Sequence, residues 1–183
     1  MTATYPTPGQ TIGPFYGFAL PYPGGNELVP PGHPEAIRLH GYVTDGHVAP
    51  VPDALIEIWQ ADPRGRVVQV AGSLHRDGWT FTGWGRAATD NDGHYTFTTL
   101  RPGPHAPGRP AFVAVTVFAR GLLDRLFTRA YLPVGAGPTG DPLLDGLDDA
   151  ARQTLIAVAD GNNSLRFDLR LQGERETVFL RYR

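Results

Sequence analysis

Asp90 and Asp92 stand two residues apart with Gly93 immediately after them, the spacing with which a calcium loop begins. The EF-hand pattern also needs a bidentate carboxylate to close its loop, and no acidic residue occurs between Gly93 and Asp124. Thr89-Asp90-Asn91-Asp92-Gly93 is read instead as a tight turn and hairpin tip, in which the Asx side chains bond their own backbone and Gly93 takes a positive φ. Histidines are the other groups with chemistry to offer. Of the six, His33, His40, His47 and His94 fall in loops or on exposed strand faces and read as surface residues. There is no cysteine, which excludes disulfides, zinc thiolate sites and thiol nucleophiles together.

The elements that must position any site are strands. Ile37, Leu39, Gly41 and Val43 alternate with Arg38, His40 and Tyr42, and residues 54–61 form a β-branched and aromatic run in which Glu57 faces out and Trp59 is a core anchor. Tyr95, Phe97 and Thr99 alternate with Thr96 and Thr98, while 110–119 is nearly continuous in apolar residues and reads as a central strand. Further strands are expected at 126–132, at 165–171 and at 177–182, with a short one at 65–70, and 73–84 reads as a loop. Leu147, Ala151, Leu155 and Val158 predict one helix over 147–159, capped by Asp145 or Asp148 and ended by Gly161. The 23 glycines and 18 prolines interrupt these segments without forming low-complexity tracts, the punctuation of an all-β chain. About eight antiparallel strands with one short helix predict a β-sandwich.

At 183 residues one core is expected. The net charge of -2 is spread evenly, so neither nucleic acid nor a membrane surface is favoured as a partner. No apolar run approaches a membrane span and the first residues lack a leader pattern, which makes the cytoplasm the expected location. Residues 1–35 have no helix or strand period yet carry Tyr5, Phe15, Tyr16, Phe18 and Tyr22. A disordered tail is poor in aromatics, so this segment reads as an ordered arm lying on its own domain, 36–183, or on a partner chain.

Gly41-x-Val43-x-Asp45, then Pro50-Val51-Pro52-x-Ala54-x-Ile56-Glu57-Ile58-Trp59-Gln60-Ala61-Asp62, then Thr89-Asp90-x-Asp92-Gly93-x-Tyr95-x-Phe97 and Pro102-Gly103-Pro104 follow one another in order. Over roughly residues 9–181 this resembles the intradiol ring-cleavage dioxygenases, and the fit is to their small two-chain members. A transthyretin-like binding module shares the turns and strands but not Trp59-Gln60-Ala61-Asp62; a non-enzymatic module of that kind is the alternative.

The family holds a ferric ion with two Tyr and two His. Tyrosinates neutralise the Fe(III) charge, imidazoles complete the site, and an arriving catecholate displaces a phenolate that takes up its proton. Here Pro104 is followed by His105 in place of a Tyr, Arg109-Pro110-Ala111 by Phe112-Val113-Ala114 in place of His-x-His, and no Tyr stands near Leu74 and His75. His75 and His105 alone would leave a ferric ion under-coordinated and over-charged. The resemblance therefore implies that this chain supplies neither catalytic residue nor metal ligand and is inactive alone. Fe(III) would be bound by a homologous iron-bearing beta chain, in a higher hetero-oligomer of αβ units that cleaves protocatechuate with O2 to 3-carboxy-cis,cis-muconate. A self-sufficient iron enzyme with unorthodox ligands is the other open reading. By the same resemblance Thr11, Gly13, Pro14 and Phe15 belong to an arm segment that approaches the partner's iron, and Arg129 matches a cationic position facing the substrate carboxylate. The plainer expectation for Arg129 is an ion pair with an exposed acid on the sandwich surface.

Overall fold

The computed structural model describes residues 16–69, 77–133 and 139–181. In chain order the elements are α1 (Tyr16–Ala19), β1 (Ala36–Thr44), β2 (Leu55–Gln60), β3 (Trp84–Ala88), β4 (His94–Leu100), β5 (Phe112–Phe118), β6 (Leu126–Tyr131), α2 (Pro142–Asp145), α3 (Asp149–Gln153), β7 (Val158–Ala159), β8 (Ser164–Arg166) and β9 (Leu169–Arg170). They form an all-β sandwich of two sheets. One sheet runs β4-β1-β8-β7 with β9 also on β1, and the other runs β3-β2-β5-β6.

Alternation of side chains makes the core. Ile37, Leu39 and Val43 of β1, Tyr95 and Phe97 of β4, and Leu165, Phe167 and Leu169 point into the same cluster as Ile56 and Ile58 of β2 and Val113, Val115 and Val117 of β5. The alternation also corrects the reading of Trp59. It shares the parity of Glu57 on β2, and since Ile56 and Ile58 take the inner face, Trp59 stands outward and 45% exposed. His40 is corrected in the opposite sense: although it points outward, β1 lies between β4 and β8, and the ring is only 6% exposed, with Asp160 and His94 over it.

The second sheet is antiparallel throughout, whereas β8 and β9 run parallel to β1. Their separation into two short strands has a local cause at Gly41. A Cβ there would stand 1.9 Å from the Phe167 carbonyl oxygen, so the chain crosses β1 closely at Phe167-Asp168. The crossing is fastened by Phe167 N–H donating to the His40 carbonyl, Tyr95 hydroxyl donating to the Phe167 carbonyl and Tyr42 N–H donating to Asp168 Oδ1.

The turn at 89–93 forms as expected, with Asp90 Oδ1 accepting from the amides of Asp92 and His94 and Gly93 at φ 74°. It is not the tip of a hairpin, however. β3 pairs β2 and β4 pairs β1, so the turn carries the chain from one sheet to the other. Nor is there a helix over 147–159. α3 is capped by Asp148, whose side chain accepts from Ala151 N–H, and ends at Gln153, after which Tyr131 N–H donates to Leu155 O and Ala157 N–H to Tyr131 O. Pairing beside β6 overrides the helical period. The segment then continues to β7 at the edge of the first sheet. The strands expected near 65–70 and 177–182 reduce, among the described residues, to the single bridges Ala61↔Val67 and Phe127↔Leu180.

The described part of the arm lies on its own domain. Leu28 and Val29 are buried, Leu28 N–H donates to Thr98 O on β4, and Arg86 of β3 donates to the carbonyl of Leu20 through its side chain and of Gly25 through its amide.

Candidate functional site

Two buried polar residues frame the loop that leads to the site. Gln60 Nε2 donates to the Leu100 carbonyl at 2.7 Å and its Oε1 accepts from Thr99 Oγ1 at 2.9 Å, tying β2 to β4 across the core. Asp62 Oδ1 accepts from the amides of Arg64 and Arg66 and Oδ2 from the Arg66 side chain, while its carbonyl accepts from Gly65 and Gly103. These bonds, the Arg66 amide first among them, hold the Asp62 carboxyl below the ordinary range. Gly103 must be glycine because a Cβ would meet the Pro63 carbonyl oxygen at 2.4 Å. The Trp59-Gln60-Ala61-Asp62 and Pro102-Gly103-Pro104 motifs thus form one frame.

His105 leaves that frame with its ring edge-on to Phe112 of β5, centroids 5.3 Å apart. Phe112 and Ala114 face outward on the second sheet, and Ala114 lies opposite Arg129 of β6. The Arg129 guanidinium covers the Phe112 ring at 4.4 Å, and its Nη1 donates to Tyr131 hydroxyl at 3.1 Å and to Asp141 Oδ2 at 3.2 Å. Tyr131 hydroxyl donates to the same Oδ2 at 2.9 Å. Asp141 is the N-cap of α2, with Oδ1 accepting from Leu143 N–H, and only 7% of its side chain is exposed. The expected exposed acid is therefore corrected: Arg129 pairs with a buried one.

This arrangement does not fit a ferric ion. Where the family's two imidazoles are expected stand a phenyl ring and a methyl group, with a guanidinium laid over the ring. The Tyr131 hydroxyl beside them already donates to Asp141 Oδ2, and burial, with Arg129 opposing and Asp141 adding, pushes it up to about 12. Among the described residues no group of three or more His, Asp or Glu side chains is placed to hold a metal. Thr11, Gly13, Pro14, Phe15 and His75 lie outside the described residues. Asp141 and Tyr131 escaped the sequence reading. Asp141 followed by Pro142 is a legible N-cap and N1 pair, although nothing local announces that its second oxygen reaches β6.

Residues 25–173 match the dioxygenase family profile, Dioxygenase_C. The chain belongs to the intradiol dioxygenase family. This intradiol dioxygenase chain is 35% identical to a protocatechuate 3,4-dioxygenase alpha chain of Burkholderia cepacia, over 98% of each chain. It is 39% identical to the alpha chain of that name from Pseudomonas putida, over 94% of each. A protocatechuate 3,4-dioxygenase beta chain of Burkholderia cepacia is 35% identical over 67% of this chain and 55% of its own. Among solved structures, the dioxygenase domain of a carbohydrate-binding fusion protein from Streptomyces sp. SirexAA-E superposes with a TM-score of 0.58 at 29% identity, covering 92% of this chain and 99% of that one.

Proposed function

We propose that this chain is the iron-free alpha subunit of a protocatechuate 3,4-dioxygenase, paired with a homologous beta chain that holds Fe(III) and performs the cleavage of protocatechuate by O2 to 3-carboxy-cis,cis-muconate. The observation that carries this is the outer face of the second sheet, where Phe112 and Ala114 stand at the family's imidazole positions and the Arg129 guanidinium lies over the Phe112 ring. A family member with a cation there depends on another chain for its metal. Half-exposed Trp59, opposite both Trp84 and Ala114, extends that face as apolar surface for the partner. The assembly is a higher hetero-oligomer of αβ units, in which residues 1–35 act as an arm on the 36–183 sandwich and Thr11, Gly13, Pro14 and Phe15 reach toward the partner's iron. The location is the cytoplasm; no helix among the described residues is long and apolar enough to cross a membrane.

Arg129 is the residue of this chain that meets the substrate carboxylate. When both hydroxyls of protocatechuate chelate the partner's iron, the carboxylate points away from the metal, and a guanidinium held by Asp141 is set to receive it by charge-assisted hydrogen bonds. The test is Arg129→Ala in the reconstituted αβ enzyme, assayed with protocatechuate and with catechol, alongside the unfolding temperature of the variant. Protocatechuate should lose about 1.5–3 kcal/mol of binding, the range for hydrogen bonds to charged groups, and catechol little. Equal losses for both substrates would make Arg129 a partner of Asp141 alone.

A further inference from the structure

Both oxygens of Asp141 are engaged, and the way they are divided bears on Arg129. Oδ1 accepts from Leu143 N–H as the cap of α2. Oδ2 receives two donors, the Tyr131 hydroxyl at 2.9 Å and Arg129 Nη1 at 3.2 Å. Arginine and a carboxylate pair most strongly when two parallel N–H groups meet two oxygens. Here the helix holds one oxygen and Tyr131 shares the other, so Asp141 grips Arg129 through a single nitrogen, at the long end of the hydrogen-bond range.

Tyr131 is the fixed point of this arrangement. It follows Arg129 by two residues on β6 and so shares its outward face, yet it is fully buried, packed with Leu144 of α2 and with Leu155. Its ring also lies 5.5 Å from that of Phe112, the residue opposite it on β5. A ring so enclosed cannot swing. Its hydroxyl accepts from Arg129 Nη1 at 3.1 Å while donating to Asp141, and therefore stands between the two charges. It weakens their direct pairing and at the same time helps to set the guanidinium over Phe112.

We propose that Tyr131 is a positioning residue that keeps Arg129 from being tied up by Asp141, competing for Oδ2 and holding Nη1 in place for a substrate carboxylate. The inference rests on the role given to Arg129 above and deepens it. An arriving carboxylate offers two oxygens where Asp141 offers a share of one, so it takes the guanidinium that Asp141 only steadies. Without the hydroxyl, Oδ2 is left to Arg129, the ion pair closes, and the substrate has to displace it.

The test is Tyr131→Phe in the reconstituted αβ enzyme. Binding of protocatechuate and of 3,4-dihydroxybenzamide, its uncharged isostere, is titrated without O2 so that no turnover intervenes. Protocatechuate should bind roughly three- to tenfold more weakly, as for the loss of one ordinary hydrogen bond, and the amide should change by less than about twofold. In an Arg129→Ala background the same substitution should alter neither. A role confined to bracing α2 would weaken both compounds alike or act equally with and without Arg129; either result overturns the proposal, as does unchanged protocatechuate binding. If Arg129→Ala is selective for protocatechuate and Tyr131→Phe is not, this inference fails and the role of Arg129 stands. Should Tyr131→Phe fail to assemble, Asp141→Asn takes its place: the amide oxygen still caps α2, the competing charge is gone, and protocatechuate should bind at least as tightly as before. Weaker binding there would overturn the competition.

Discussion

Gln60 and Thr99 meet in the interior of the sandwich, the hydroxyl of one sheet donating to the side-chain amide of the other at 2.9 Å. Both residues are nearly fully buried, so neither can turn to water. Gln60→Leu should therefore leave the Thr99 hydroxyl and the Leu100 carbonyl unpaired and destabilise the fold by about 1–3 kcal/mol, the penalty for stranded buried polar groups. Urea unfolding measures it. A midpoint unchanged within error would mean that the amide contributes nothing.

Gly41→Ala tests the close crossing at Phe167. The added methyl has backbone oxygen 1.9 Å away, and backbone cannot swing aside like the end of a side chain. A loss of about 3 kcal/mol, at the upper end of the range for overpacking, is expected. Gly32→Ala, with nothing within 4 Å of the new Cβ, serves as the comparison and should move stability by no more than about 0.5 kcal/mol.

The His40 ring is held neutral. Burial, with the Arg38 charge adding to it, lowers its pKa below 6.5 despite the opposing pull of Asp160. The unfolded chain therefore binds a proton more readily than the folded one. Stability should be level above pH 6.5 and fall as the pH drops from there through the lowered folded value. Carboxylates with lowered pKa, such as Asp45 and Asp62, act only nearer and below 3.8. His40→Asn should flatten the upper window and leave the acid limb. An unaltered slope between pH 6.5 and 5 in that variant would show that His40 is not its source.

The chain purified without a partner should hold no stoichiometric iron and show no tyrosinate-to-iron charge-transfer colour. The reason is the phenyl ring of Phe112 and the methyl group of Ala114 at the family's imidazole positions, with the Arg129 guanidinium over the ring. Metal analysis and a visible spectrum suffice, and a burgundy solution of the single chain would remove the basis for a two-chain enzyme.

Strands whose partners impose plain alternation were legible in the sequence. β1 and β4 fall where period-2 patterns put them, because one face of each is sealed by the other sheet, and β5 falls within the apolar run at 110–119. What stayed hidden depends on residues far apart in the chain. Asp90 to Gly93 has the chemistry of a hairpin turn, and only the pairing of its flanks with β1 and β2 makes it a corner between sheets. The residues from Leu155 to Val158 keep helical spacing, yet the backbone of Tyr131 draws them into extended pairing. At the site, the substitutions at Phe112 and Ala114 could be read directly, whereas Asp141 as the counter-ion of Arg129 could not, since a capping aspartate normally serves only its own helix.

The parallel union of β1 with β8 and β9 bears on how the protein is made. Of the described strands β1 is the first to be synthesised, and its second edge waits for residues 164–170, which supply the last of them. Until then Arg38 to Thr44 present an open row of amides and carbonyls to any neighbouring strand, the kind of edge that seeds aggregation. Premature termination after residue 160 would make this exposure permanent. Such products should collect in the insoluble fraction even though nearly all of the second sheet has already been synthesised.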